Sequence, residues 1–349
     1  MSVEKDYKIV YNPRQKNNFT PNENIFYDVI IIGAGVSGLA AAMYAGRLGM
    51  KTLLIGEMLG GTITLTHVVE NYPGFVSITG QGLAKLIENH TKDYDINIIN
   101  EKIEIIKKNE RKNRIFFEVQ TKKKTFSGKT IIYATGSKWK KLEVPGEKEF
   151  ENKGVSYCAL CDGPLFRGKT VGVVGGSDSA VKETLLLTEF AKKVYVFYRG
   201  KKVHPEPINM QRLEEKIKQK KVEVINNTNV IEIKGGQIIT SIILDKPHKG
   251  NKEFKIDGLF VDIGHIPLSN MAKKIGVKIN KKEEIIINRN AETNIEGFYA
   301  AGDVTDTEFK QAITGVGEGV AAAYHAYEYI NKGEYVLPQE DKEYVKEEN

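Results

Sequence analysis

The sequence is poor in cysteine and has no long apolar run. Of its 349 residues only two are cysteines, Cys158 and Cys161. Secreted chains of this length more often carry several disulfides, so two thiols indicate a reducing compartment. No uninterrupted apolar stretch approaches the roughly 20 residues that a membrane-spanning helix needs. The first residues carry scattered charge and no apolar core, which does not fit a secretory signal, and we expect a cytoplasmic protein.

Positive charge is not concentrated in one region. The formal net charge of +6 comes from lysines spread along the chain, with short clusters at 122–124 and 216–221. A nucleic-acid surface is one interpretation of such clusters. Because they lack interleaved aromatic residues and a binding motif, a solvated lysine-rich surface is favoured, and we expect neither a nucleic-acid nor a membrane partner. The composition is that of a globular protein, and the length favours two domains.

A nucleotide-binding pattern begins at Tyr27, in YDVIIIGAGVSGLAAAMYAGRLGMKTLLIGE. An apolar strand leads into a glycine turn, an alanine-rich helix and a second apolar strand, with Gly33, Gly35 and Gly38 in the G-x-G-x-x-G spacing. The first glycine permits the tight turn, the second lets the backbone approach a pyrophosphate, and the third lets the helix pack close to the sheet. The helix N-terminus would hold the pyrophosphate. Glu57, after the second strand, is the candidate ribose ligand.

A second unit of the same type follows in KTVGVVGGSDSAVKETLLLTEFAKKVYVFYRG. Gly175 and Ala180 match the first and last positions of G-x-G-x-x-A, but Ser177 replaces the middle glycine. A side chain there makes the approach of a pyrophosphate more difficult. Asp178 places a negative charge where phosphates would lie. Two tight turns in ordinary parallel sheets are the alternative interpretation, which is more reasonable for this unit than for the first.

The remaining motifs complete a fold prediction. IIYATGS is an apolar strand that ends in Ala-Thr-Gly, GFYAAGDV is another strand, and KQAITGVGEGVAAAYHAYEYI reads as a long closing helix. We therefore predict an α/β protein with two Rossmann-like, three-layer dinucleotide-binding domains, the second inserted in the first. The predicted parts are an N-terminal extension (1–25), an FAD-binding domain in two pieces (26–143 and 266–335), an inserted NAD(P)-type domain with both cysteines (144–265) and a C-terminal tail (336–349).

The two cysteines form a C-x-x-C in SYCALCDG. A structural zinc site needs two further ligands at compact spacing, and the sequence has no second C-x-x-C and no H-x₃₋₅-H pair. Haem attachment requires a histidine directly after the second cysteine, where this chain has Asp162. A redox dithiol is the favoured interpretation, two unrelated buried thiols are the weaker one, and we expect no metal.

Taken together, these motifs resemble those of the low-molecular-weight thioredoxin reductases, which are FAD-dependent pyridine nucleotide-disulfide oxidoreductases. The similarity runs from about Tyr27 to about Tyr329. Its carriers are GAGVSGLAAAMYAGR, GGTITLTHVVENYPG, ATGS, GVSYCALCDGPLFRGK, DIGHIPLSN and GFYAAGDVTDTEFKQAITGVGEG. In that family the first and last parts of the chain hold FAD, while the middle part holds the redox cysteines and NADPH. The resemblance also implies a homodimer.

The resemblance implies roles for particular residues. Asp303 would bind the ribityl chain of FAD, and Gln311 and Ala312 would lie beside the pyrimidine end of the flavin, where a helix N-terminus favours the negative charge of the reduced ring. The other implied FAD contacts, beyond Gly33, Gly35, Gly38 and Glu57, are Ser37, Gly60, Gly61, Thr62, Asn71, Ala134, Thr135 and Gly136. The candidate NAD(P) contacts are Gly176, Ser177, Asp178, Ser179, Arg199 and Lys201.

The chain departs from the family at the nicotinamide site. The family reads the adenosine 2′-phosphate with a histidine, two consecutive arginines and a later arginine. This chain has Tyr198, Arg199, Gly200 and His204 at those positions. Lys201 and Lys202 supply point charges without the bidentate geometry of arginine. NADPH, NADH, a deazaflavin and other donors therefore stay open.

The leading functional hypothesis is an FAD-dependent reductase of thioredoxin or a similar small redox protein. By resemblance, Cys161 faces the flavin and Cys158 attacks the partner disulfide through thiol–disulfide exchange. Asp162 is the candidate acid–base, with a turn residue as its alternative role. A flavoenzyme that reduces a peroxiredoxin or oxygen, and a redox-sensing flavoprotein with weak turnover, are the competing hypotheses.

Overall fold

The computed structural model describes residues 23–111 and 114–331. Residues 1–22 of the predicted extension and the predicted tail (336–349) lie outside the described residues. The strands are β1 (Phe26–Ile32), β2 (Thr52–Ile55), β3 (Ile96–Ile99), β4 (Ile103–Arg111), β5 (Arg114–Thr121), β6 (Thr125–Tyr133), β7 (Ser137–Trp139), β8 (Val155–Ser156), β9 (Thr170–Val174), β10 (Lys193–Tyr198), β11 (Val222–Asn226), β12 (Val230–Gly235), β13 (Ile239–His248), β14 (Asn251–Lys255), β15 (Gly258–Val261), β16 (His265–Pro267) and β17 (Phe298–Ala300). The α-helices are α1 (Val36–Arg47), α2 (Gly80–Thr91), α3 (Glu147–Phe150), α4 (Ala159–Asp162), α5 (Asp178–Leu187), α6 (Pro207–Lys218), α7 (Asn270–Lys274) and α8 (Ala312–Tyr329), and 3₁₀ helices span Gly61–Leu65 and Gly163–Phe166.

The described residues divide into two compact units. The first comprises residues 23–64, 68–136 and 267–331, and the second comprises 65–67 and 137–266. The sequence places the first boundary seven residues later, after residue 143. The difference arises because β7 pairs with β16 and not with the large sheet of the first unit. Within the first unit, the amide of Leu268 donates to the carbonyl of Gly136 at 3.0 Å, so the two chain ends that flank the insertion are adjacent.

The first unit is built on a seven-stranded sheet. The strand order is β3-β2-β1-β6-β5-β4, and β17 also pairs with β6. β1 runs parallel to β2 and β6, whereas β4, β5 and β6 are joined as antiparallel neighbours. Ile30, Ile31 and Ile32 of β1 are at most 2% exposed. A strand that is apolar at consecutive positions is typical of a parallel strand covered on both faces.

Two hydrophobic clusters cover the two faces of this sheet. Successive side chains of a strand point to opposite faces. Ile30 therefore packs in one cluster with Phe117 and Phe298, and Ile31 packs in the other with alanines of α1 and α8. Alanine on both helices lets their backbones approach each other. The helix α8 is the predicted closing helix, and no helix in the described part of the chain combines the length and the apolar character needed to cross a membrane.

The second unit also has three layers. Its five-stranded sheet is parallel throughout, in the order β11-β10-β9-β15-β8. Val173 of β9 clusters with Val181 of α5 and Leu213 of α6. The next residue, Val174, faces the other side and clusters with Ile242 of β13. Helices therefore cover one face of the sheet, and the antiparallel sheet β12-β13-β14 covers the other.

The predicted nucleotide-type units are both present. The segments β1, α1 and β2 form the first, and β9, α5 and β10 form the second. The strand predicted before Ala-Thr-Gly is β6, and the strand predicted in GFYAAGDV is β17. Two three-layer α/β units confirm the predicted fold class.

A pair of glycines on α8 tests the close packing of this helix. A Cβ at Gly319 would lie 2.2 Å from the carbonyl oxygen of Ser37, whereas a Cβ at Gly317 would meet no atom within 4 Å. We expect Gly319→Ala to lower the free energy of unfolding by about 1–3 kcal/mol, because backbone atoms cannot make room cheaply. Gly317→Ala should leave it unchanged or raise it by about 0.5–1 kcal/mol through helix propensity. Denaturant unfolding measures both, and equal stabilities would contradict the described packing.

Candidate functional site

The turn between β1 and α1 has the geometry of a phosphate site. Gly33 has φ +110°, and a Cβ there would lie 2.1 Å from the carbonyl oxygen of Ala134. Gly35 is the N-cap of α1 and makes no side-chain cap, and the first turn of α1 contains no acidic residue. The amides at this helix end are therefore available to an anion, which the helix dipole also favours. A Cβ at Gly38 would lie 1.8 Å from the carbonyl oxygen of Gly33, so only glycine permits this approach.

The glycine pair at 60 and 61 lies against the same turn. The amide of Gly60 donates to the carbonyl of Ala34 at 2.8 Å, and Gly60 forms a β-bridge with Gly35. A Cβ at Gly61 would lie 2.7 Å from the Cα of Gly35. Thr62 follows in the 3₁₀ helix. The structure thus brings these sequence-predicted residues to the turn, and Glu57 lies exposed just beyond the end of β2.

Asn71 and Gln311 are far apart in sequence and in contact in the structure. The amide nitrogen of Asn71 donates to Oε1 of Gln311 at 2.9 Å. Gln311 is the N-cap of α8, and its backbone amide donates to Oγ1 of Thr314 in a capping box. Ala312 is the first residue of that helix. The N-terminus of α8 therefore lies beside Asn71.

The loop that carries Asp303 is tied to α8 by a glutamate that the sequence interpretation missed. Oε2 of Glu318 accepts the amide of Gly302 at 2.7 Å and also contacts the hydroxyl of Thr305, while Oε1 accepts the hydroxyl of Thr307. A carboxylate flanked by glycines in GEG was the only sequence signal for this role. Its three donors come from the loop that precedes α8, and only the conformation of that loop brings them to the carboxylate, so the role could not be inferred without the fold.

Two further contacts fix the surroundings of Asp303. Nζ of Lys310 donates to the carbonyl of Asp303 at 3.2 Å and forms an ion pair with Glu284. Gly302 has φ +80°, and a Cβ there would lie 2.5 Å from Oγ of Ser37. Ser37, also predicted from the first motif, therefore contacts the Asp303 loop. Asp303 therefore lies on a turn of the chain that Glu318 and Lys310 both contact.

The Ala-Thr-Gly segment follows β6 directly. The amide of Ala134 donates to the carbonyl of Ile32 at 2.7 Å, which continues the sheet by one residue. Thr135 donates its hydroxyl to the carbonyl of Leu268 at 3.0 Å, and Gly136 has φ +67°. The segment thus ends at the carboxyl edge of the sheet, next to the glycine turn at Gly33. Ligands of open α/β sheets bind at this edge.

In the second unit, Cys158 and Cys161 form a disulfide with a Cα–Cα distance of 5.3 Å. Cys158 is 8% exposed and is the N-cap of α4, whereas Cys161 is exposed. The amide of Cys161 donates to Sγ of Cys158 at 3.1 Å. A hydrogen bond to sulfur stabilises a thiolate. Asp162 is the last residue of α4, next to Cys161.

The second glycine turn differs from the first in its middle position. Gly175 keeps the tight turn, since a Cβ there would lie 2.1 Å from the carbonyl oxygen of Asp262. Ser177 is the N-cap of α5, and its hydroxyl accepts the amide of Ala180 at 3.4 Å and contacts the hydroxyl of Ser179 at 3.1 Å. The helix end that an incoming phosphate would use is therefore partly satisfied by the protein itself.

The negative charge of Asp178 near this turn is compensated by neighbouring groups. Its oxygens bind Lys182 at 2.7 Å and accept from the amide of Glu206 and from Asn209, both at 2.8 Å. These contacts lower the pKa of Asp178 against the opposing effect of burial, which is the largest single influence. The expectation that Asp178 repels phosphates is therefore weakened, because a lysine one helical turn away balances it. Gly176 packs directly against the ring of Tyr198.

The candidate ligands of an adenosine phosphate are exposed cations. Arg199, Lys201 and Lys202 follow β10 and are exposed. The hydroxyl of Tyr198 lies 3.2 Å from Nδ1 of His204. These residues fit a pyridine nucleotide at its adenosine end, and Gly175 fits the tight turn. The position of Ser177 is less open than that of Gly35, the corresponding residue in the first unit.

Comparisons with known proteins agree with this geometry. The family model for pyridine nucleotide-disulphide oxidoreductases matches residues 27–319. A thioredoxin reductase of Bacillus subtilis is 38% identical over 315 residues, which cover 89% of this chain and 97% of that protein. A component of the alkyl hydroperoxide reductase of Pseudomonas aeruginosa is 34% identical over 310 residues, or 87% of this chain, and the match spans 58% of that longer protein.

A solved structure gives the same result. The thioredoxin reductase of Lactococcus lactis superposes with a TM-score of 0.82 at 36% identity, with 88% of this chain and 99% of that chain covered. On this coverage and identity, the chain belongs to the pyridine nucleotide-disulphide oxidoreductases and, within them, to the thioredoxin reductase family.

Proposed function

We propose that this chain is an FAD-dependent disulfide reductase. It passes electrons from a reduced donor through FAD and the Cys158–Cys161 disulfide to thioredoxin or a similar small redox protein. The observation that carries the proposal is the disulfide itself, formed by the two cysteines of the chain at the N-cap of α4. Membership of the family adds FAD and a pyridine nucleotide as the cofactors that the rest of the site should hold. The proposal includes a cytoplasmic homodimer, as the family resemblance implies.

The residues of the first unit fit FAD. The uncapped N-terminus of α1, with Gly33 and Gly35 before it, would bind the pyrophosphate, and Glu57 would bind the adenosine ribose. Asp303 would hold the ribityl chain, on the loop that Glu318 and Lys310 fix. The remaining contacts would come from Ser37, Gly38, Gly60, Gly61, Thr62, Asn71, Ala134, Thr135, Gly136, Gln311 and Ala312. When bound, FAD supplies two-electron redox chemistry that side chains cannot perform.

The chain's own residues carry out the exchange with the partner. The thiolate of Cys158 attacks one sulfur of the partner disulfide, so that a mixed disulfide forms and one partner thiolate leaves. Cys161 then attacks Cys158, the mixed disulfide breaks, and the partner leaves as a dithiol while Cys158–Cys161 closes again. Two electrons pass to the partner in these steps. The Cys161 amide would stabilise the Cys158 thiolate, and Asp162, at the end of α4 beside Cys161, would exchange protons with the thiol that departs.

Single cysteine variants test this division of labour. Cys161→Ser should trap a covalent complex with a thioredoxin variant that lacks its resolving cysteine and carries a small aromatic thiol as a mixed disulfide on its remaining cysteine. The Cys158 thiolate attacks that disulfide, the small thiolate leaves, and no second thiol releases the product. Cys158→Ser is the matched control and should trap little. Non-reducing gels and intact-mass spectrometry measure the complex. Cys158 is the more buried of the two cysteines in this structure. Trapping by Cys158→Ser but not by Cys161→Ser would show that Cys161 is the attacking residue and would reverse the assignment.

The donor is proposed to be NADPH or NADH, bound at the second glycine turn. The candidate contacts are Gly176, Ser177, Asp178, Ser179, Arg199 and Lys201. Exposed arginine and lysine side chains after β10 favour the extra phosphate of NADPH. The neutralisation of Asp178 by Lys182 supports the same assignment. The hydroxyl of Ser177 opposes it, since this cap competes with a phosphate for helix amides.

Ser177→Gly should make the donor site more open. The competing cap bond contributes about 0.5–1.5 kcal/mol, so the variant should bleach its flavin about two- to tenfold faster with NADPH below saturation. The reaction is followed without oxygen in the visible absorption band of the flavin. Glu189→Gln, which changes an exposed side chain just beyond α5 and keeps the Ser177 cap, is the control and should behave as the native protein. If neither NADPH nor NADH bleaches any of the three proteins, a deazaflavin or another reductant is the donor.

A second candidate is the reduction of a peroxiredoxin. The similarity to the alkyl hydroperoxide reductase component favours it, although this chain spans only 58% of that protein. Both candidates use the same FAD site and the same disulfide. Parallel turnover assays with a thioredoxin and with a disulfide-form peroxiredoxin distinguish them, because the physiological partner should show the higher kcat/KM.

A further inference from the structure

A pair of carboxyl groups lies next to the disulfide helix in the second unit. Glu183 is on α5, and Asp262 follows β15. The amide of Asp262 donates to the carbonyl of Val174 at 2.9 Å, which places Asp262 at the carboxyl end of the sheet. Oε2 of Glu183 and Oδ1 of Asp262 are both enclosed, and neither has a hydrogen-bond partner among the described residues. Two enclosed acceptors without donors are unusual, because burial of unpaired polar oxygens is costly.

Glu183 is linked to the redox disulfide by one hydrogen bond. Its Oε1 accepts the backbone amide of Ala159 at 3.3 Å. Ala159 is fully buried, directly follows Cys158 and is the first residue of α4. The carboxyl group therefore contacts the amide end of the short helix at which Cys158 is the cap. A charge on Glu183 acts on Cys158 across a single peptide unit, with little water between them.

Two enclosed carboxylates that act on each other electrostatically cannot both be ionised without a large cost. Burial, and to a smaller extent the charge of Asp262, raise the pKa of Glu183 to about 8 against the lowering effect of the Ala159 amide. A single proton held between the two groups would also give each enclosed oxygen a partner. The pair should then be described as one titrating unit that holds one proton near neutral pH.

The other ionisable groups near α5 leave this assignment intact. Within the described residues, Asp262 is the charged side chain that acts on the pKa of Glu183. Asp178 and Lys182 on α5 are paired with each other. The further ionisable groups on the elements packed against α5 are Asp162 on α4, Lys193, Tyr195 and Tyr198 on β10, and Arg212, Glu214, Glu215, Lys216 and Lys218 on α6.

We propose that Glu183 and Asp262 share one proton beside the closed disulfide, and that Glu183 is a positioning residue whose charge state sets the alkaline limit of dithiol formation. The inference rests on the proposed function, since it concerns the same Cys158–Cys161 pair. Reduction breaks the sulfur–sulfur bond with two electrons, and one proton from water yields a thiol and a thiolate. The pair keeps its own proton in this step. Above its pKa the pair is doubly charged, and a new thiolate beside it is then disfavoured.

The two redox states therefore bind the shared proton differently. A thiolate at Cys158 holds that proton more tightly on the pair, so the pKa of the pair is higher in the reduced protein than in the oxidised one. By linkage, reduction takes up additional protons from water between these two pKa values. Reduction of the disulfide is thus fully favoured by the protonated pair below about pH 8. It becomes progressively less favourable as the pH rises through the pKa of the pair.

Glu183→Gln tests the inference because an amide copies the protonated acid. Its oxygen can accept the Ala159 amide, and its nitrogen can donate to Asp262. The native protein with its flavin is equilibrated in dithiothreitol buffers of fixed ratio at pH 7 and pH 9, and free thiols are trapped with an alkylating agent and counted by mass spectrometry. We expect equal reduction at pH 7. At pH 9 the equilibrium constant for reduction should be about fivefold higher in Glu183→Gln, if the pKa of the pair differs by about one unit between redox states.

Two other variants make the test specific. Asp262→Asn removes the charge that raises the pKa of Glu183, so the alkaline loss of reduction should begin at lower pH than in the native protein. Glu189→Gln removes an exposed charge just beyond α5 and should follow the native profile. Thermal unfolding at pH 7 should show that Glu183→Gln is at least as stable as the native protein, which excludes misfolding as the cause.

The outcomes separate the two proposals. If the native protein and Glu183→Gln show the same pH profile, the shared-proton inference is wrong while the disulfide reductase proposal stands. If dithiothreitol reduces the disulfide in none of these proteins at either pH, the proposed redox role of Cys158 and Cys161 fails first. A profile of Asp262→Asn shifted to higher pH would also overturn the inference, because it reverses the predicted sign.

Discussion

The first unit depends on a close backbone contact around Ser37. Glycines 302, 315 and 319 all approach this one residue so closely that a Cβ at any of them would lie 2.2–2.5 Å from a Ser37 oxygen. Ser37 is in the first turn of α1, whereas the glycines come from the loop of Asp303 and from α8. This contact joins the first and last parts of the chain into one nucleotide site. Packing at backbone distance fixes the site more rigidly than contacts between flexible side chains could.

The glycine turn before a helix occurs twice in this chain, with a different residue at its middle position. In the first unit Gly35 leaves the amides of α1 open, and in the second unit Ser177 caps α5 with its own hydroxyl. The parallel sheet around each turn is otherwise similar. A dinucleotide would therefore meet a prepared anion site in one unit, and a partly self-satisfied one in the other.

Much of this site could be predicted from the sequence, because glycine turns and C-x-x-C are local patterns. The glycine spacings that begin at Gly33 and Gly175 and the pair Cys158 and Cys161 each involve residues within a few positions of each other. The role of Glu318 could not be predicted, since only the conformation of the loop before α8 brings its three donors to the carboxylate. The partner of Asp178 was missed for a similar reason, because Asn209 is on another helix. The antiparallel sheet β12-β13-β14 of the second unit could not be predicted either, because no sequence motif marks it.

The hydrogen bond between Leu268 and Gly136 has a consequence for the folding of the chain. Closing a long loop costs entropy that grows only slowly with its length. Here the intervening residues form a compact unit of their own, and the two ends that frame it already meet within the first unit. Once the inserted unit has folded, joining β6 to the segment at Leu268 costs the first unit little further conformational entropy. The two units can thus acquire their cores in either order without entangling the chain.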